Sequence, residues 1–225
     1  MAKPSKSSSA SAIEVDMVSD FVCPWCWLGY RQFQVAQKQF KSSVNIAFRP
    51  YMLDPTVPDA GADYKTYMKA KFGDGPSDKF KTMRDHLETA GPDFGIAFDF
   101  NAITRRPNTL SAHRLMRWAQ GQDLGAACAE NLFRAYLEDG LDIGDIAVLC
   151  AIAEEIGMDG DIVADLLASD NDKIDVQNEI MFFRGLGISG VPTFIYNGQF
   201  ALQGAQDAPS HLKAMAEARA LPAET

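Results

Sequence analysis

Ser19-Asp20-Phe21-Val22-Cys23-Pro24-Trp25-Cys26 is the stretch that decides how this 225-residue chain is read. On its N-terminal side Ile13, Val15 and Met17 alternate with Glu14 and Asp16, a strand pattern that runs apolar to Val22. On its C-terminal side Gly29, Phe33, Ala36 and Phe40 recur at helical spacing, which predicts a helix over 27–40. Two cysteines spaced CxxC at a strand-to-helix junction are a signature of thiol–disulfide chemistry. Pro24 suits the first helical position, where its missing N–H costs nothing, so Cys23 falls at the N-cap. Its sulfur would then face the unpaired N–H groups and the positive dipole end of the first turn, which favour the nucleophilic thiolate. Cys26, three residues on, shares that helix face and is placed to attack the Cys23 sulfur and release whatever it has bound.

A zinc site is the competing reading of a CxxC pair. Structural zinc wants four ligands, usually as two such pairs. Cys128 and Cys150 form no second pair, and His86, His113 and His211 are scattered, so no metal site is expected. At −9 the net charge argues against a nucleic-acid partner or an anionic membrane surface. No run has the length of a membrane span, and the Lys/Ser/Ala-rich start lacks the apolar segment of a secretory signal. The expected setting is therefore the cytoplasm, where a CxxC is catalytic more often than structural. The oligomeric state stays open, and a homodimer is compatible with the acidic surface.

Along the chain, residues 1–11 read as a disordered tail. Val44, Ile46 and Phe48 give a second strand, so strand–helix–strand suggests a parallel βαβ unit. Residues 62–185 read as helical almost throughout, with a loop-like bridge over 91–107 and N-caps expected at Asp161 and Asp172. Cys150 falls on an apolar stripe and reads as core, whereas Cys128 sits at the edge of its own. Strand signals return at 191–196 and 199–203, joined by Asn197-Gly198, a strong two-residue hairpin signal. A closing helix covers 210–220. The expected fold is α/β: residues 12–61 and 186–225 form one sheet-containing domain, β-α-β … β-β-α, interrupted by an all-helical domain over 62–185.

This arrangement resembles the thioredoxin superfamily, specifically the DsbA-like branch and within it the FrnE-type cytoplasmic oxidoreductases. The resemblance covers roughly residues 12–220. It is carried by Ser19 to Cys26, by Arg49-Pro50-Tyr51-Met52-Leu53, by Pro107-Asn108-Thr109 with Ala112-His113-Arg114, and by Ser189-Gly190-Val191-Pro192-Thr193-Phe194. It implies that Cys23 is the attacking and Cys26 the resolving cysteine of a protein-disulfide oxidoreductase. It also implies that Pro192 is a cis-proline beside them, and that Val191 presents backbone groups to a substrate. Trp25 and Phe21 are candidate substrate contacts on the aromatic surface around the motif. Two departures stand out. Trp25 fills the slot where DsbA has a histidine, and Met17 stands six positions before Cys23, where thioredoxin-like proteins often bury an acid. Asp20 is the nearest acid in sequence and reads as a solvated strand-end residue, which leaves the proton acceptor for Cys26 open.

The same branch contains glutathione-dependent enzymes, the kappa-class transferases and the 2-hydroxychromene-2-carboxylate isomerases. By that resemblance Asn108 is a candidate contact for substrate or glutathione; otherwise it is an N-cap for the helix Leu110–Gln120. Those enzymes generally carry Ser where this chain has Cys23. The expectation is a thiol–disulfide oxidoreductase that needs no cofactor. Its substrates are proteins or small molecules containing thiols or disulfides. The alternative is a glutathione-dependent isomerase or transferase, with glutathione as co-substrate.

Overall fold

A computed structural model describes residues 12–73 and 78–221, with backbone alone for 78–80. The tail expected over 1–11 lies outside the described residues. The strands β1 (Ile13–Ser19) and β2 (Val44–Pro50) flank α1 (Pro24–Gln39) and pair in parallel, Ile13 opposite Val44 through Ser19 opposite Pro50. Then come β3 (Ala62–Asp63), α2 (Tyr64–Phe72), α3 (Asp78–Ala90), a 3₁₀ turn (Gly91–Phe94) and β4 (Arg105–Arg106). The run continues through α4 (Leu110–Gln120), α5 (Gly125–Leu137), α6 (Ile146–Glu155), α7 (Gly160–Ala168) and α8 (Lys173–Gly185). The chain closes with β5 (Thr193–Tyr196), β6 (Phe200–Gln203) and α9 (Ala208–Ala220). The main sheet has the order β2-β1-β5-β6, with β5 antiparallel to β1 and β6 antiparallel to β5. This is the mixed sheet of the thioredoxin fold, with the helices of the long insertion between β2 and β5.

Alternation along β1 sends Ile13, Val15 and Met17 to one face, under α1 and α9, where they join Phe33, Phe194 and Tyr196 in the core. Each such side chain, fully buried, stabilises the fold by about 1.5–3 kcal/mol. Val18 points the other way and packs with Tyr51, Ile195 and Phe183 of α8. The same core runs on without a break into the insertion. Trp27 of α1 stacks on Phe133 of α5, ring centroids 6.1 Å apart, and meets Phe98 edge-on at 5.7 Å. Two polar side chains fasten the helices where apolar contact cannot. Gln120, at the end of α4, accepts from the Phe48 N–H (2.6 Å) and donates to the Phe48 carbonyl (3.0 Å), covering the open edge of β2. Arg114 is fully buried and donates to the carbonyls of Leu166, Leu167, Ser169 and Asn171. It thereby satisfies the orphan carbonyls at the end of α7.

Several local expectations change. The predicted bridge over 91–107 contains the 3₁₀ turn and a two-residue strand, because β4 finds a partner in β3 that no periodicity could announce. The cap of α7 is Asp159, whose carboxylate accepts from Ile162 N–H, rather than Asp161. Asp172 does precede α8 but caps nothing with its side chain. Its carboxylate instead accepts from Trp118 Nε1 (2.7 Å) and Arg117 Nε (3.2 Å) of α4. The cysteine assignments reverse: Cys128 is fully buried and Cys150 only half-buried. The hairpin signal is met, with φ of 50° at Asn197 and 70° at Gly198.

Candidate active site

The first turn of α1 carries the motif. Pro24 is its first residue and Cys23 its N-cap, in extended conformation (φ −96°, ψ 108°). Cys23 does not cap the helix with its side chain; its thiol donates instead to the Val191 carbonyl, at 3.8 Å. A thiol needs an acceptor, which the exposed N–H groups of a helix start are not. The Val191–Pro192 bond is cis. Cys23 and Cys26 are both free thiols and both buried. Burial pushes the Cys26 thiol well up, and its hydrogen bond and charge interaction with Cys23 push the same way; the Asp20 backbone N–H works against them.

Beneath the pair lies a buried polar group that the sequence reading put at the surface. Asp20 is fully buried. One carboxylate oxygen accepts from the Leu53 N–H (2.7 Å), and the other lies 3.8 Å from His113 Nε2. His113 Nε2 is also 2.9 Å from the Tyr51 carbonyl. Burial alone would raise the Asp20 carboxyl. The nearby His113 ring, the Arg106 charge and the Leu53 N–H outweigh it and hold the group below its ordinary value. Asp20 therefore stays ionised behind the cysteines, three residues from Cys23 and not at the position of Met17. A signal was available: an Asp inside an otherwise apolar run entering a CxxC motif has few places to go but inward.

Cys23 opens onto a cavity of about 300 Å³. Trp25, Val22 and Val191 form its floor beside the thiol, and α2 roofs it with Tyr64, Tyr67 and Met68, spaced to share one helix face. Phe100, Ile103 and Tyr136 close the far side, and Arg106 reaches in from β4. Of the residues singled out in the sequence, Cys23, Trp25 and Val191 line this space, and Cys26 and Pro192 stand next to lining residues in the chain. Phe21 does not line it; it is wholly buried between the rings of His113 (5.0 Å) and Phe133 (5.2 Å). Asn108 is also elsewhere. Its amide donates to the Val57 carbonyl (2.9 Å), and its oxygen accepts from the first N–H of α4, on Leu110 (3.0 Å), while Thr109 occupies the N-cap position. The sequence reading missed Arg106, Tyr67 and Tyr136, which only the pairing of β3 with β4 and the packing of α2 and α5 bring to this cavity.

The chain belongs to the DSBA-like thioredoxin domain family, whose sequence model matches residues 14–216. YwbO, an uncharacterized protein of Bacillus subtilis (strain 168), is 26% identical over 195 residues, 86% of this chain and 90% of its own. The crystal structure of a probable DsbA oxidoreductase of Streptomyces coelicolor superposes with a TM-score of 0.86 at 24% identity, over 95% of this chain and 92% of that one. A 2-hydroxychromene-2-carboxylate isomerase superposes with a TM-score of 0.69 at 16% identity, over 91% of this chain and 95% of that one. Among the described residues no helix is long and apolar enough to cross a membrane.

Proposed function

We propose that this protein is a thiol–disulfide oxidoreductase in which Cys23 is the nucleophile and Cys26 the resolving thiol. The observation that carries the reading is the pair itself: two free thiols in contact at the head of α1, the first opening onto a cavity and the second wholly enclosed. Cys23 thiolate attacks one sulfur of a substrate disulfide, and the substrate S–S bond breaks. The departing thiolate takes a proton from solvent, leaving a mixed disulfide on Cys23. That step removes the Cys23 charge, one of the causes after burial that keep the Cys26 proton in place, so Cys26 ionises more readily once it is needed. Cys26 then attacks Cys23 Sγ, the second substrate thiolate leaves, and the Cys23–Cys26 disulfide remains. Run backwards, the pair donates its disulfide.

In this reading Val191 and Pro192 position the substrate backbone or sulfur beside Cys23, Trp25 walls the cavity, and no cofactor is needed. The cytoplasm, where thiols stay reduced, is the proposed setting.

The isomerase likeness and the small cavity favour one second reading, a glutathione-dependent isomerase or transferase. A single variant separates the two. Cys26→Ser incubated with oxidised substrate should accumulate adducts on Cys23, seen on non-reducing gels and mapped by mass spectrometry, with turnover lost. An unimpaired Cys26→Ser enzyme strictly dependent on glutathione would establish the second reading instead.

A further inference from the structure

Cys23 is only 4% exposed, so a substrate must meet it inside the cavity. One wall is α2, none of whose residues is fully buried, although Tyr64 packs against the edge of the core. Among the described residues the lining is apolar and aromatic apart from the Cys23 thiol, the Tyr hydroxyls and the cations Arg106 and Lys71, with no carboxylate. Lys71, at the rim, is engaged by Asp54 (3.8 Å) and the Tyr67 hydroxyl (2.8 Å). Arg106 is different: it is 6% exposed, the carboxylate whose charge it feels, Asp20, is itself buried, its guanidinium carbon sits 5.2 Å from the centroid of the Tyr67 ring, and its Nε has no acceptor among the described residues. A buried guanidinium that lines an apolar cavity suits a carboxylate, the anion its planar fork matches.

Building on the oxidoreductase reading above, we infer that the cavity takes small disulfides and thiols with an apolar body and a carboxylate, and that Arg106 binds the carboxylate. The chemistry is unchanged. A bond forms between Cys23 Sγ and one substrate sulfur, the substrate S–S bond breaks, and Cys26 closes the protein disulfide. Two electrons pass to the substrate, which leaves as two thiols, each protonated by solvent.

The test mixes reduced protein with dithiobis(nitrobenzoate), an aromatic disulfide carrying a carboxylate on each ring, and separately with its uncharged bis-amide. Rates are divided by those of dithiothreitol with the same compounds, which removes their intrinsic difference. The acid should be preferred by about tenfold or more, the scale of one charge-assisted, bidentate contact. Arg106→Met should reduce the preference to within about twofold, and Arg106→Lys, which keeps the charge but not the fork, should fall between. The wild-type ratio stands whether or not a variant folds. Equal normalised rates for acid and amide in the wild type, or an Arg106→Met protein that keeps the preference, would overturn the role of Arg106 and leave the oxidoreductase reading intact. Insulin disulfides reduced with a higher kcat/KM than the acid would assign the site to polypeptides and overturn the inference. Failure to reduce any of the three would remove the oxidoreductase reading and this inference with it.

Discussion

Cys23 Sγ and the Val191 carbonyl oxygen lie 3.8 Å apart, although 168 residues separate them in the chain. The sheet register makes the meeting. Val18 of β1 stands opposite Thr193 of β5, so the residues just past the end of one strand meet those just before the start of the other. Gly29, one turn and a half along α1, lets the two segments approach: a Cβ there would lie 3.1 Å from Pro192 Cγ and 3.2 Å from Ala205 Cα.

Gly29→Val should therefore push the Pro192 segment away from Cys23. The expected cost is about 1–3 kcal/mol, the usual range for overpacking a filled site. Denaturant unfolding measures it, with disulfide turnover in parallel. A variant equal to wild type in both would show that the contact is loose.

The four cysteines should differ sharply toward iodoacetamide. Cys23 opens onto the cavity. Cys150 is half-buried, and its thiol is pushed up by burial and by the nearby Glu154, Asp161 and Asp145 carboxylates. Cys128 and Cys26 are enclosed, and burial pushes both thiols far up. Peptide mapping of the native protein should find Cys23 modified first, Cys150 later, and Cys128 only on unfolding. Cys128 or Cys150 reacting ahead of Cys23 would contradict this order.

Asp20→Asn should destabilise the protein by about 3 kcal/mol, since it removes the carboxylate that faces buried Arg106 and His113. Asp16→Asn is the control. Asp16 is partly exposed and pairs with Arg49 at 2.7 Å, and its loss should cost under about 1 kcal/mol. Equal losses in urea unfolding would show that burial of Asp20 carries no special weight.

Much of this was legible in Ser19 to Cys26 and in Gly190 to Thr193, because local pattern decides strands, hairpins and helix starts. The βαβ unit, the Asn197-Gly198 turn and the N-cap position of Cys23 are all of that kind. What periodicity does not encode is which side chains meet across the insertion. By sequence alone Asp20 reads as solvated, because most aspartates are; its neighbours, His113, Arg106 and the Leu53 N–H, come from three distant segments. Phe21 and Trp25 look alike as aromatic neighbours of the motif. Only packing decides that the first is core and the second cavity wall. Arg106 sits on a strand two residues long, below the length any pattern can reveal.

The stability of the fold should also depend on pH through His211. Its Nδ1 shares a 2.7 Å hydrogen bond with the Tyr196 hydroxyl, and its ring is edge-on to Phe33 and Phe194. Burial is the main cause that pushes its pKa down to about 4. The folded state thus prefers the neutral ring. The contribution is fully present above the unfolded value of about 6.5 and is lost as pH falls from there through about 4, on the order of 2–3 kcal/mol in all. His211→Phe should lower stability at neutral pH yet flatten its slope across that window. An unchanged slope in urea unfolding at several pH values would contradict the assignment.

The central claim is that Cys23 and Cys26 cycle between dithiol and disulfide. A redox titration in glutathione or dithiothreitol buffers, with peptide mapping at each point, tests it most directly. The account predicts one two-electron transition, about 30 mV for each tenfold change in ratio, with Cys23 linked to Cys26 in the oxidised form. The midpoint should fall between roughly −270 mV, the value for thioredoxin, and −120 mV, the value for DsbA. Either Cys→Ser variant should abolish the transition. A pair that stays reduced across that whole range, or a Cys23 that oxidises to Cys128 or Cys150 instead, would contradict the account.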